Sequence, residues 1–327
     1  MARRAGAGMV AGMQADPAEA RAAPLATSKH IVDVLIEERA PRLSHGTLWP
    51  ILRPLLYAVL NYDKAVRMAD AIAPMSGREA LDYVSALLSV RLELKGLERT
   101  PHTGSFLALC NHPTGITDGV AAYDAIKRVR PDVLFYANSD AHRVSPRFDE
   151  TLIPVEWMLG KRTRERTRLT LKLTDQAIAE GRPIVIFPAG RLARLRKGKL
   201  VDPEWMPTAT SLARKYNLPI LPCHVAGPYA FWFHGLAAIS DELRDITLFH
   251  ELLNKQGKTY RLNFGPLIPS QQINADTARV TRQLKFHIET KLRHDPDAVF
   301  DSEGPECPWG DPKPVAETAK TKLPIRN

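Results

Sequence analysis

Three cysteines in 327 residues, Cys110, Cys223 and Cys307, are too few and too scattered for a disulfide framework or a zinc site. A reducing compartment is the economical reading. No apolar run reaches the roughly 18 uninterrupted residues that a membrane span needs. Internal repeats are absent, which excludes solenoids and propellers. His224 and His234 have no partner at metal-binding spacing. No nucleic-acid-reading motif or aromatic-basic interleaving is present. The excess of cations, 45 Lys and Arg against 36 Asp and Glu for a formal charge of +9, therefore points to phosphates, anionic lipid headgroups or acidic proteins.

With 44% hydrophobic residues the chain can bury a substantial core as one large domain or two modest ones. Residues 1–28 begin with Arg3, Arg4 and a weakly apolar Ala/Gly/Met stretch, and read as a disordered extension rather than a cleaved signal peptide. Residues 29–96 are helical in pattern, with helices expected at 31–39, 48–73 and 78–89. The stretch 48–60 mixes Trp49 and Tyr57 with aliphatics and Arg53, which fits either an in-plane membrane-interfacial helix or a buried core helix.

From residue 97 short apolar runs alternate with amphipathic ones. That pattern predicts an α/β fold, a mixed and mostly parallel sheet flanked by helices, with an N-terminal helical layer. Strands are expected at 105–109, 133–137, 152–155, 183–187, 220–226 and 260–265, and helices at 117–129, 164–180, 207–216, 240–254 and 276–293. The last segment, 301–327, holds five prolines and few apolar residues and reads as a flexible tail.

The run from Cys110 through Asn111, His112, Pro113, Thr114, Gly115, Ile116 and Thr117 to Asp118 sits where the first of these strands ends and a helix begins. Ligands bind in such crevices, and a helix N-terminus there favours negative charge. His112 and Asp118 suit a general-base pair in which the carboxylate holds the imidazole tautomer that removes a proton from a hydroxyl. They equally suit a turn capped by an acid at a helix start. A second cluster follows the strand at 183–187: Pro188, Ala189, Gly190, Arg191, Leu192, Ala193 and Arg194, then Arg196, Lys197 and Lys199. Arg191 and Arg194 leave the sheet edge as guanidinium forks suited to phosphate. The later cations read as an exposed loop.

Asn111-His112 with Asp118, Phe187-Pro188-Ala189-Gly190-Arg191, and Leu218-Pro219-Ile220-Leu221-Pro222 resemble the first, third and fourth motif blocks of the glycerolipid acyltransferase superfamily, which includes 1-acylglycerol-3-phosphate acyltransferases. The likeness covers about residues 97–270 and implies an acyltransferase domain over 97–300. It also implies transfer of a fatty acyl group from acyl-CoA or acyl carrier protein to the hydroxyl of a lysophospholipid-like acceptor, without a cofactor. The implied roles are His112 as base, Asp118 as its support and Arg191 as the acceptor-binding cation. Arg194, Gly190, Asn111 and Thr114 are expected to help bind substrate, with Asn111 or nearby backbone amides serving the developing oxyanion.

Three features depart from the family pattern. Five residues stand between His112 and Asp118 where four are usual, so Thr117 fills the usual acid position and Gly115 is expected to absorb the extra residue. Ala189 replaces the usual Glu of the third block. The second block is matched only loosely by 147–155. The first two departures resemble a hemolysin-like or ornithine-lipid acyltransferase subgroup, whose acceptor need not carry a glycerol phosphate. The chain is thus expected to be a peripheral enzyme on the cytoplasmic face of an anionic membrane, with no nucleic-acid partner. The alternative is an inactive lipid-binding or membrane-docking protein, which would not need His112 and Asp118 within hydrogen-bond reach.

Weaker features leave their readings open. The basic run 161–168 suits docking of an acidic carrier protein or anionic lipid, though a solvated helix face is the more economical account. Tyr229, Phe231, Trp232 and Phe233 fit an acyl channel, a bilayer contact or ordinary core packing.

Overall fold

The computed structural model describes residues 29–156, 163–196, 198–273 and 276–306. The extension 1–28, the tail from 307 onward with Cys307, Lys161 and Arg162 of the basic run, and Lys197 lie outside the described residues.

Seven strands form the central sheet: β1 (Arg91–Lys95), β2 (Leu107–Cys110), β3 (Leu134–Asn138), β4 (Leu152–Val155), β5 (Ile184–Ile186), β8 (Ile220–Ala226) and β9 (Thr259–Phe264). A separate antiparallel hairpin pairs β6 (Arg194–Arg196) with β7 (Lys199–Val201). The sheet order is β1-β9-β8-β2-β5-β3-β4, with every neighbour parallel except β8 and β9. The mixed, mostly parallel α/β sheet that the alternating pattern predicts is what forms. Parallel strands covered on both faces read as unbroken apolar runs, and Leu-Ala-Leu-Cys of β2 and Ile-Val-Ile of β5 are buried throughout.

The helices are α1 (Ile31–Arg39), α2 (Pro41–Ser44), α3 (Trp49–Val59), α4 (Tyr62–Ile72), α5 (Gly77–Leu88), α6 (Ile116–Ile126), α7 (Asp140–Val144), α8 (Arg164–Ala179), α9 (Thr208–Lys215), α10 (Phe231–Ile239), α11 (Asp241–Ile246), α12 (Leu248–Leu253) and α13 (Thr277–Phe286). One sheet face packs Phe106, Ala108, Cys110 and Val185 against α4, α5 and α6. The other packs Leu107, Leu109, Ile184 and Ile186 against α8, α9 and α13. The period-two alternation along β2 and β5 thus sends successive side chains into two cores.

Several elements differ from expectation, each for a local reason. β1, within the stretch read as helical, pairs along its length with β9, whose partners lie far away in sequence. Its charged and Leu residues alternate at the sheet edge, a weak period-two signal. The helix expected over 48–73 breaks at Asn61, which adopts a left-handed φ of 55°. The helix expected over 240–254 divides at Thr247, whose hydroxyl donates to the Arg244 carbonyl at 2.7 Å. The one over 276–293 passes through a π-helical turn at His287–Lys291. The loop expected after Arg191 contains the β6–β7 hairpin, and the aromatic run belongs to α10, where Phe233 is core and Trp232 is surface.

The N-terminal helices are tied together by Asp33, which accepts from Tyr57 at 2.7 Å and Tyr62 at 2.9 Å, with the two rings stacked. Burial and this carboxylate raise the Tyr62 phenol to about 12. Helix α3 has one buried and one exposed apolar side. Trp49 is buried, whereas Leu48, Ile51, Leu55 and Val59 line an exposed apolar stripe, with Ile51 72% exposed.

Candidate active site

The chain leaves β2 at Asn111, next to the C-terminal ends of its parallel neighbours β5 and β8. Asn111 extends the sheet with its side chain: its amide oxygen accepts from the Val225 N–H at 2.7 Å and its NH2 donates to the Val225 carbonyl at 2.9 Å. This tie buries the Asn111 amide against strand backbone. His112 follows, its ring centroid 4.5 Å from that of Phe187 at the exit of β5. Its carbonyl accepts from the Ala193 N–H at 3.0 Å.

The His112 Nδ1–H donates to Asp118 Oδ2 at 2.9 Å. Asp118, completely buried, lies in the first turn of α6 and also accepts from the Thr114 N–H at 2.8 Å, the Gly115 N–H at 3.0 Å and the Thr114 hydroxyl at 2.5 Å. Each bond to an ionised acceptor contributes about 1.5–3 kcal/mol. One carboxylate thus caps the start of α6 and lies within hydrogen-bond reach of the His112 imidazole. Gly115 adopts φ 115° and ψ −154°, a region open essentially to glycine alone. That turn aims two successive N–H groups at Asp118. Thr114, expected as a substrate contact, instead gives its hydroxyl proton to Asp118, and its oxygen accepts from Tyr260 at 2.9 Å. Burial and the Asp118 charge hold the Tyr260 phenol protonated, well above its ordinary range.

The exit of β5 closes as a turn in which the Gly190 N–H donates to the Phe187 carbonyl at 3.0 Å, with Gly190 at φ 61°. Ala189 is buried there. Arg191 is exposed and, among the described residues, has no carboxylate partner. It stands two residues before Ala193, so the same loop holds the His112 backbone and carries this guanidinium. Arg194 is already engaged: one of its terminal nitrogens lies 3.1 Å from both carboxylate oxygens of Asp241, the first residue of α11. Arg194 is thus held in an ion pair, whereas among the described residues Arg191 has none.

Sequence reasoning missed Asp202, Trp205 and Tyr260, which carry no local motif and reach the site from elsewhere in the chain. Among the described residues no group of three or more His, Cys, Asp and Glu side chains is arranged to hold a metal ion. A cavity of about 150 Å³ opens beyond the β5 exit, walled by Tyr136, Val155, Leu171, Ile186, Pro188 and Met206.

Residues 91–226, from the first residue of β1 to the last of β8, match the Acyltransferase family. A lyso-glycine lipid O-acyltransferase from Phocaeicola vulgatus is 29% identical over 205 residues, 60% of this chain and 70% of that protein. A lyso-glycine lipid O-acyltransferase from Bacteroides thetaiotaomicron is 23% identical over 246 residues, 73% of this chain and 88% of that protein. Among solved structures, the 1-acyl-sn-glycerophosphate acyltransferase PlsC from Thermotoga maritima aligns over 79% of this chain and 97% of its own, with 12% identity and a TM-score of 0.44. The family match begins and ends on strands of the central sheet and encloses His112, Asp118 and Arg191, so over residues 91–226 the chain is similar to the Acyltransferase family.

Proposed function

We propose that this enzyme moves a fatty acyl group from an acyl thioester, of CoA or of acyl carrier protein, to the hydroxyl of a lyso amino-acid lipid, with His112 as general base. The observation that carries this reading is the 2.9 Å bond from His112 Nδ1 to the buried Asp118. It keeps the proton on Nδ1, so Nε2 presents its lone pair to the acceptor hydroxyl. As the hydroxyl oxygen attacks the thioester carbonyl, its proton passes to Nε2 and Asp118 stabilises the imidazolium. Collapse of the tetrahedral intermediate breaks the carbon–sulfur bond, and the departing thiolate takes the proton from His112. The thioester is already activated, so this step requires only deprotonation and placement of the alcohol.

The acceptor class follows from charge. An N-acylated amino-acid headgroup presents one carboxylate, which a single guanidinium fork pairs bidentately. Arg191 is uncommitted, Arg194 is neutralised by Asp241, and Ala189 stands where relatives that handle glycerol phosphate have a Glu. Both curated relatives act, by their names, on lyso-glycine lipid. The apolar cavity beside Pro188 receives the acyl chain in this scheme.

No helix among the described residues is long and apolar enough to cross a membrane. The enzyme works peripherally on the cytoplasmic leaflet, where the free Cys110 and Cys223 stay reduced, and α3 enters the interface through its exposed stripe. The test is transfer of radiolabelled acyl groups to lyso-glycine lipid, lyso-ornithine lipid and lyso-phosphatidate from both thioester donors. Amino-acid acceptors should be preferred and His112→Ala should abolish transfer. Wild-type rates in His112→Ala, or preference for lyso-phosphatidate, would sink the corresponding half of the reading.

A further inference from the structure

We propose that Asp202 is a positioning residue for His112, gripping the backbone of the base whose imidazole Asp118 holds. The proposal rests on the reading of His112 as the base. The last ladder pair of β2 with β8 is Cys110 with Cys223, so the His112 N–H lies beyond the sheet and would otherwise be an orphan donor. Asp202, the first residue after β7, accepts it with both carboxylate oxygens, each at 3.1 Å. A backbone N–H can be satisfied by a water or a carbonyl. Here it is met by a carboxylate only 4% exposed, a costly choice that needs strong local support.

That support is built in. The Trp205 indole N–H donates to Asp202 Oδ2 at 3.0 Å. The Asp202 N–H donates to Glu289 Oε1 at 2.7 Å, and Lys285 donates to the other oxygen of Glu289 at 2.8 Å. Glu289 lies in the π-helical turn after α13, where the inserted residue redirects side chains relative to a regular helix. A buried chain from Lys285 through Glu289 and Asp202 thus runs from the C-terminal helix to the base. Burial and the neighbouring Glu289 push the Asp202 carboxyl upward, so a neutral hydrogen-bonding group of the same shape suits this position. His112 is held at four points: N–H by Asp202, C=O by Ala193, Nδ1 by Asp118 and ring face by Phe187.

A residue that places the base acts on the chemical step rather than on substrate binding, and a displacement of about 1 Å costs up to about 100-fold. With its NH2 turned away from the His112 N–H, an asparagine whose oxygen stays near the Oδ2 position can accept from both His112 and Trp205, whereas alanine leaves both donors empty. The experiment compares wild type, Asp202→Asn, Asp202→Ala and His112→Ala as full chains, on the donor and acceptor that the wild type uses fastest, with melting temperatures measured alongside. The expected result is a kcat lowered by about tenfold or more in Asp202→Ala with both KM values within about twofold, and recovery to within about threefold in Asp202→Asn. A near-normal kcat in Asp202→Ala, a loss confined to KM, or equal loss in both Asp202 variants overturns the proposal. Activity in His112→Ala would instead overturn the general-base reading. If Asp202→Ala does not fold, Asp202→Glu replaces it, because the extra methylene displaces the His112 backbone while keeping the acceptor. The same loss of kcat is then expected, and a normal kcat overturns the proposal.

Discussion

Asp118 meets the His112 imidazole and caps the helix that follows it with the same carboxylate, its Oδ2 lying 2.9 Å from Nδ1 and accepting the Gly115 N–H at 3.0 Å. Structure and chemistry at this point are inseparable, which shapes what mutation will show. Asp118→Ala should lower kcat by about 10³-fold or more, from loss of tautomer control, and also destabilise the protein, because three buried donors around it lose their acceptor. Steady-state kinetics with a parallel thermal melt checks both. A loss of activity with an unchanged melting temperature would contradict the capping half.

Gly115→Ala isolates the backbone contribution. The nearest atom to the added Cβ would be Leu192 Cδ1 at 4.0 Å, so there is room and the penalty is conformational. Destabilisation of about 1–3 kcal/mol is expected from the positive φ alone. Chemical denaturation measures it, and a neutral outcome would show that the turn relaxes.

The two arginines should separate. Arg191→Ala should raise KM for an amino-acid lipid about 10-fold or more, the loss of one charge-assisted pair. Arg194→Ala, which breaks an exposed ion pair with Asp241, should change KM less and mainly loosen the contact between the hairpin and α11. Acceptor titrations at saturating donor distinguish them.

Acid should weaken the fold through buried histidines. Burial pushes His224 and His287 down to about 4 from an unfolded value of 6.5, so both are neutral in the native state. Between pH 6.5 and 4 the unfolded chain binds more protons, and stability therefore rises with pH there and is lost as pH falls, by about 1.4 kcal/mol per pH unit for each group in mid-window. Unfolding free energies across this range for wild type and His287→Phe should show a shallower slope in the variant. An identical slope would exclude His287 as a contributor.

The apolar stripe of α3 predicts vesicle binding. Ile51→Glu with Leu55→Glu should abolish flotation with anionic liposomes while leaving the fold intact, because both side chains point to solvent. Undiminished flotation would assign attachment to another surface.

How much of this was legible beforehand varies by the range of the interaction. The β2, β4, β5 and β8 strands were readable because buried parallel strands are unbroken apolar runs, and His112 and Asp118 were readable because both belong to one turn. β1 was not, since its Leu and charged residues form an edge strand only beside β9. The partners of Asn111 and Thr114 inside the protein were not legible either: the polar atoms of Asn111 face Val225 across the sheet, and those of Thr114 face Asp118 and Tyr260.

The order of residues by itself determined the α/β class, the position of the His–Asp pair at a strand end, and the glycine between its two members. These depend on periodicity and backbone preference within a few residues. Only the tertiary structure decided that Arg194 is neutralised while Arg191 is not, and that Asp202, Trp205 and Tyr260 converge on the site. Their hydrogen bonds and charge pairs act over only a few ångströms and join segments far apart along the chain, so no local pattern announces them.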